Sequence, residues 1–91
     1  MTRILVKASE ITVPNAVATA SSFTEATVVR LANPSTTDYV VTIAENNGGS
    51  ATIGTFTMLA NTSELIEKNP TNVVFVNAGT DVKGTIVGFN N

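Results

Sequence analysis

Short runs of alternating apolar and polar residues, broken by Asn, Gly and Pro, recur along this 91-residue chain. Alternation with a period of two places every second side chain on the same face of an extended strand. Residues 38–44 show it clearly, because Tyr39, Val41 and Ile43 fall on one face. The turn residues return about every eight to twelve positions, a spacing typical of β-sandwiches and small barrels. The pattern therefore predicts an all-β fold.

We predict one domain over residues 1–91, a small antiparallel β-sandwich of jelly-roll or immunoglobulin-like type with seven to eight short strands. The predicted strands cover residues 3–7, 10–13, 23–32, 38–44, 51–59, 64–68, 73–77 and 82–89. Residues 64–68 also fit one helical turn capped by Ser63. A strand is favoured there, because five residues before Asn69 and Pro70 are too few for a stable helix.

The breaks between these strands have recognisable turn chemistry. Asn46-Asn47-Gly48-Gly49 predicts a hairpin turn, since these residue types tolerate a positive φ. Gly54 predicts a bulge, and the small residues 16–22 predict a loop or an irregular edge segment. The alternation assigns these side chains to the core: Val29, Leu31, Val41, Ile43, Phe56, Val74, Val76, Ile86 and Val87.

The chain contains no His, Cys or Trp. It therefore has no imidazole for proton transfer, no thiol nucleophile and no soft metal ligand. Glu64 and Glu67 lie close in sequence, but three positions apart in a strand they point to opposite faces. We predict no enzyme activity and no catalytic residue.

Asp38, Glu45 and Asp81 lie beside predicted turns, where oxygen ligands could hold calcium. No alternation of the D-x-D-x-D-G type accompanies them, so we interpret them as turn caps. Gly48 and Gly49 lack the Gly-Lys-Ser/Thr sequence of a phosphate-binding loop. We predict that the protein needs no metal and no cofactor.

Charge and hydropathy restrict the partners. The net charge is −2 and the five basic residues are scattered, which argues against nucleic acid as a partner. The longest apolar runs, such as residues 73–76, are far shorter than the roughly 20 residues of a spanning helix, so no membrane span is expected. Only 13% of residues are charged, against roughly 25% in average domains. A small, weakly charged domain without disulfides is expected to bury surface against other chains.

The first 14 residues are predicted to be an N-terminal arm or an edge strand. Ile4, Leu5 and Val6 form the densest early apolar run, and Pro14-Asn15 separates them from the rest. Residues 2–13 could add as a strand to a neighbouring chain, which makes Ile4, Leu5 and Val6 the candidate partner-binding residues. The alternative is an ordinary first strand of the same sandwich.

Two segments carry a resemblance to a known class of proteins. Residues 29–43 read VRLANPSTTDYVVTI, and residues 55–72 read TFTMLANTSELIEKNPTN. In this pattern a strand ends in an Asn-Pro turn, and a later Glu-aliphatic-aliphatic-Glu-Lys-x-Pro-Thr element precedes the last two strands. The pattern resembles small virion structural proteins of tailed phages, particularly cyanophages. The likeness covers residues 23–91.

The resemblance implies a capsid decoration, or cement, protein on the virion surface. Such proteins bind the outer shell, commonly as homotrimers, and reinforce the junctions between capsomers. The implied partner is the major capsid protein or another virion protein, after synthesis in the host cytoplasm. Two alternatives remain open, namely a fibre, tail or neck structural module, and a carbohydrate-binding or receptor-binding β-sandwich.

The absence of suitable ligands predicts that calcium does not stabilise the fold. We expect the melting temperature to be the same in calcium and in a chelator, because turn-capping carboxylates need no cation. Differential scanning calorimetry measures this, with magnesium as the control for ionic strength. A melting temperature that rises with calcium and falls on chelation would identify the turn carboxylates as ligands.

Overall fold

The computed structural model of the protein describes residues 4–45 and 51–89. Within this part, eight strands form two antiparallel sheets, so the predicted all-β sandwich is confirmed. The strands are β1 (Ile4–Val6), β2 (Ile11–Thr12), β3 (Val28–Asn33), β4 (Tyr39–Ala44), β5 (Thr52–Met58), β6 (Thr62–Glu67), β7 (Val73–Val76) and β8 (Lys83–Phe89). The predicted hairpin turn at residues 46–49 lies outside the described residues.

Strand β8 lies inside the first sheet. That sheet has the order β1–β8–β3–β6, and β2 also pairs with β8. The second sheet has the order β5–β4–β7. In immunoglobulin constant-type domains the last two strands share a sheet, whereas β7 and β8 lie in different sheets here. The strand order therefore differs from that fold, although the two-sheet architecture is the same.

The two inner faces meet in one main core. Eight of the nine predicted core residues contribute to it: five are buried, and Ile43, Phe56 and Ile86 are partly buried against the same cluster. The ninth, Val87, is buried outside this cluster, because it follows Ile86 in β8 and points to the opposite face. Tyr39, Val41 and Ile43 share the inner face of β4, as the alternation predicts. Further buried side chains come from loops and strand ends, namely Val13, Phe23, Met58 and Val82.

A second, smaller cluster lies on the outer face of the β4–β7 pair. Ala44 and Val73 are buried there, Phe75 packs against them, and Ala20 covers them from the preceding segment. Ala20 follows a short 3₁₀ turn at Val17–Thr19, so residues 16–22 are the irregular segment that their composition predicts. This segment therefore buries apolar surface that the sandwich itself leaves open.

The predicted strand at residues 23–32 begins too early. β3 starts at Val28, and Phe23, Thr24 and Glu25 have φ values of 54°, 54° and 60°. This left-handed conformation costs non-glycine residues about 1–2 kcal/mol each. The turn is closed by a hydrogen bond from the Ala26 N–H to the Phe23 carbonyl, 3.1 Å long. It turns the Phe23 side chain into the core, where it is buried.

The Phe23 ring lies directly over Gly84 of β8. A Cβ atom added at Gly84 would come within 2.5 Å of Phe23 Cζ and 3.3 Å of Leu31 Cδ2. Only a residue without a side chain leaves room for the ring at this position. Gly54 of β5 differs, because an added Cβ atom there would meet nothing within 4 Å. The extra residue of the predicted bulge is next to it, since Ile43 pairs with Gly54 and Ala44 with Thr52.

These two glycines predict opposite results for the same substitution. Gly84→Ala should lower the free energy of unfolding by about 1–3 kcal/mol, because the added methyl group overpacks the core against Phe23. Gly54→Ala is the matched control and should change it by less than about 1 kcal/mol, since the site is open. Urea denaturation followed by circular dichroism measures both. Equal stability of the two variants would contradict the close packing of Phe23 on Gly84.

Candidate protein-binding surface

Among the described residues, no three His, Cys, Asp or Glu side chains gather into a site, whereas the sheet edges offer surfaces for binding. An edge strand presents unpaired N–H and C=O groups that can pair with another chain. The first sheet ends at β1 with β2 on one side and at β6 on the other, and the second sheet ends at β5 and β7. The four edges are protected to very different degrees.

The β7 edge is covered by the chain itself. Val74 and Ser21 exchange two backbone hydrogen bonds, with N···O distances of 2.9 and 3.2 Å, and the Val76 N–H donates to the Pro14 carbonyl at 2.9 Å. The segment between Pro14 and Ser21 therefore occupies the place of an additional strand. This edge is not open to a partner.

The β6 edge is protected by charge. Glu64 and Glu67 are exposed along this strand, and Ser63 is exposed beside them. Charged side chains on an edge strand disfavour pairing with another strand, because the approach would desolvate them. Leu65 is exposed between the two carboxylates.

The N-terminal edge is short and apolar. β1 pairs with β8 in the register Ile4↔Phe89 to Val6↔Val87, and β2 pairs Ile11 with Gly84. The segment predicted as an arm or an edge strand is therefore an edge strand of the same chain. Leu5 and Val6 are nevertheless 50% and 61% exposed, so neither is a core residue. The side chain of Ile4 lies outside the described part, and the partner-binding role of these residues stays a prediction.

The described residues give the β5 edge no comparable protection. Its seven residues carry no charge and no proline, and most of them are exposed. Ile53 is 55% exposed, and Leu59, just beyond the strand, is 56% exposed. The bulge at Ile53 is its only irregularity in pairing with β4. A strand that is long, uncharged and uncovered is the kind of edge on which other chains pair.

A groove of about 370 Å³ opens beside β5, between it and the β6 side of the sandwich. Its apolar wall consists of Ile43, Ile53, Phe56 and Ile66, and Glu67, Lys68 and Asn72 provide polar groups. A second groove of about 460 Å³ adjoins it and shares the Ile53 and Lys68 positions. The partly buried core residues of the sandwich are thus accessible from this side.

Lys68 is a buried cation at the end of the groove. Its Nζ donates to the backbone carbonyls of Asn69 and Pro70 at 3.4 and 3.2 Å. Burial lowers the pKa of the ammonium group from its ordinary value, while the charge of Glu25 acts in the opposite direction. Asn72 Oδ1 accepts a hydrogen bond from the Asn69 N–H at 3.0 Å. Together these contacts order the turn before β7.

Other polar side chains also stabilise turns. The buried Asn33 donates from Nδ2 to the Thr37 carbonyl at 2.7 Å, and its Oδ1 accepts from Ser35 Oγ at 2.7 Å. Asp38 Oδ1 accepts from the Ala60 N–H at 2.8 Å. Asp38 is thus a turn cap, as its position in the sequence predicts. The burial of Asn33 was not predicted, because the Asn-Pro sequence indicates a turn without indicating where the amide points.

Asp81 contacts Tyr39 across the molecule. The Tyr39 hydroxyl donates to Asp81 Oδ2 at 2.5 Å, which fixes the loop before β8 against β4. This hydrogen bond and the burial of the hydroxyl raise the pKa of Tyr39 above its ordinary value. Among the described residues, no three carboxylates gather as ligands for a metal ion. Within the same residues, no helix has the length and hydropathy needed to cross a bilayer.

Comparison with known proteins identifies no relative. The sequence matches no protein-family model, and neither a curated protein nor a solved structure is significantly similar to it.

The Tyr39–Asp81 contact predicts an alkaline titration that can be read directly, because the chain has one Tyr and no Trp. The ultraviolet absorbance of tyrosinate should show a midpoint above the ordinary value of about 10. Asp81→Asn should lower that midpoint, since it removes the neighbouring charge that opposes ionisation. The folded state holds this proton more tightly than the unfolded state, so its contribution to stability is lost as pH rises above about 10.

The matched control is Asp38→Asn, which alters a turn carboxylate that bonds to Ala60 and does not contribute to the raised pKa of Tyr39. It should leave the tyrosinate midpoint unchanged. Circular dichroism at each pH confirms that the titration is that of the folded protein. The same midpoint in the wild type and in Asp81→Asn would rule out the contact in solution.

Proposed function

We propose that this protein is a non-enzymatic structural component of a phage virion, a decoration protein that binds the outer capsid shell and reinforces its capsomer junctions. One observation supports a binding role above all: large apolar side chains are exposed at the edges of the sandwich. Leu5, Val6 and Ile11 lie at the N-terminal edge, and Ile53, Leu59 and Leu65 lie on the opposite side. A partner that covers them removes this apolar surface from water.

The energetic argument favours the N-terminal edge as the shell-binding side. Fully burying one Leu or Val side chain contributes about 1.5–3 kcal/mol. Within the described part, β1 pairs with β8 on one side, so it can accept a further strand along its other side. Leu5 and Val6 would then lie within the new interface. This is the partner-binding role that the sequence predicts for Ile4, Leu5 and Val6.

The virion assignment rests on the sequence resemblance. The two segments that carry it form β3 with β4, and β5 with β6, on either side of the turns stabilised by Asn33 and Asp38. The low content of charged residues agrees with a domain that acts by covering surface. The homotrimer that the resemblance implies is part of this proposal.

The proposal predicts binding to capsid shells. Purified protein should cosediment with empty expanded shells of the phage concerned, at a saturating ratio set by the capsomer junctions, and should raise the melting temperature of the shells. The double substitution Leu5→Asp and Val6→Asp should weaken binding at least about tenfold, because two desolvated carboxylates replace buried apolar groups. Both side chains are exposed, so circular dichroism should show an unchanged fold.

Leu65→Asp is the control, because Leu65 on the β6 edge is 43% exposed against 50% for Leu5, and this variant should bind shells as the wild type does. Failure of the wild type to bind shells, with binding to tail or fibre fractions instead, would contradict the decoration role and favour a tail, neck or fibre module. Selective binding to a glycan array would favour the carbohydrate-binding alternative. If the Leu5/Val6 variant bound shells as well as the wild type does, the N-terminal edge would not be the shell-binding side. The decoration role itself would not be contradicted.

A further inference from the structure

We propose that the β5 edge pairs with β5 of a second copy of this chain, antiparallel across a two-fold axis. The two three-stranded sheets would then form one continuous six-stranded sheet. The pairing is independent of the proposed virion role, because it uses the side of the sandwich away from β1. It joins copies of the chain in pairs.

The hydrogen bonds of β4 show which groups of β5 are free. Val40 bonds towards β7, since its carbonyl accepts from the Asn77 N–H at 3.1 Å and its N–H donates to Asn77 Oδ1 at 3.0 Å. Successive residues of an antiparallel strand bond to opposite sides. Val41 therefore bonds towards β5, where it is in register with Phe56. Thr55 and Thr57, the neighbours of Phe56, direct their N–H and C=O groups to the open edge.

The other edges do not offer an equivalent surface. The β7 edge is covered by residues 14–21, and β1 spans three residues within the described part. Pairing of two β6 edges would bring Glu64 and Glu67 of both copies together, and like charges across a strand pair are destabilising. Two copies of β5 carry no charge at all, so their approach meets no such repulsion.

The sequence of β5 complements itself. A two-fold axis at Phe56 places Thr55 of one copy opposite Thr57 of the other, so the free backbone groups meet in hydrogen-bonded pairs. The same register places Ile53 opposite Leu59, the two most exposed apolar residues on this side. Phe56 faces its own counterpart at a non-hydrogen-bonded position, where cross-strand side chains are closest. The open space at Gly54 and the adjacent groove leave room for the incoming side chains.

A second copy is therefore the partner that suits the β5 edge. One register pairs the free backbone N–H and C=O groups of both strands, covers Ile53 and Leu59, and brings no charged side chains together. Aromatic and Thr–Thr cross-strand pairs are among those that stabilise sheets. An isologous contact of this kind closes after two copies and does not propagate into a fibre.

Site-specific cross-linking tests the register, because the natural chain contains no Cys. Thr55→Cys and Thr57→Cys are each purified, mixed and oxidised under mild conditions. Opposed Cα atoms in a hydrogen-bonded pair lie about 5.5 Å apart, within the range of a disulfide. The mixture should yield the mixed disulfide dimer in large excess over the products of either variant alone. Ser63→Cys on the β6 edge is the control and should cross-link no faster than random collision.

Charge insertion tests the edge itself. Sedimentation velocity is measured over a concentration series. The wild type should reach twice the mass of Thr55→Lys, because the added lysine prevents pairing. The control Ser63→Lys should have the same mass as the wild type. A lysine on an edge strand blocks pairing without altering the fold, which circular dichroism verifies. A wild type with the same mass as Thr55→Lys at every concentration would overturn the pairing. Efficient cross-linking by Thr55→Cys alone would overturn the Phe56-centred register.

Discussion

The first sheet depends on β8, because β1, β2 and β3 all pair with this one strand. Its partners come from the first third of the chain, so the sheet cannot be completed before the C-terminal residues are in place. Non-local pairing of this kind is associated with slow folding. The absence of a side chain at Gly84 allows the Phe23 ring to pack on β8 and close the core from the edge. β8 therefore has two roles: it pairs with three strands of the first sheet, and it provides the surface on which Phe23 packs in the core.

The unequal protection of the edges follows from this arrangement. The residues between β2 and β3 cross from the first sheet to the second, and on the way they cover β7. No segment of the described chain crosses the β5 side in the same manner. The sandwich consequently has two accessible apolar sides, and β1 and β6 lie at opposite ends of the first sheet, with β5 in contact with β6. The proposed shell binding at β1 and the proposed pairing of two copies at β5 would therefore use different sides of the sandwich.

Polar side chains contribute mainly to the geometry of the loops. Asn33, at the end of β3, bonds to the loop that follows it, and Lys68 bonds to the turn that follows it. The loop residues Asp38 and Asp81 bond to Ala60 and Tyr39. The Asn33 amide is buried, so leaving it without its partners would cost about 1–3 kcal/mol. These hydrogen bonds hold the turns in fixed positions, and the turns fix the positions of the strands that they connect.

The sequence by itself determined most of the strands, the inner face of β4 and most of the core, because alternation and turn chemistry are local properties of the chain. It also favoured a strand over a helix at residues 64–68, where β6 is found. It did not reveal the late start of β3, since the turn at Phe23 is stabilised by Gly84 far along the chain. Only the tertiary structure decided the strand order, the burial of Lys68 and the exposure of Leu5 and Val6. These depend on which elements meet in space, and the local pattern carries no information about that.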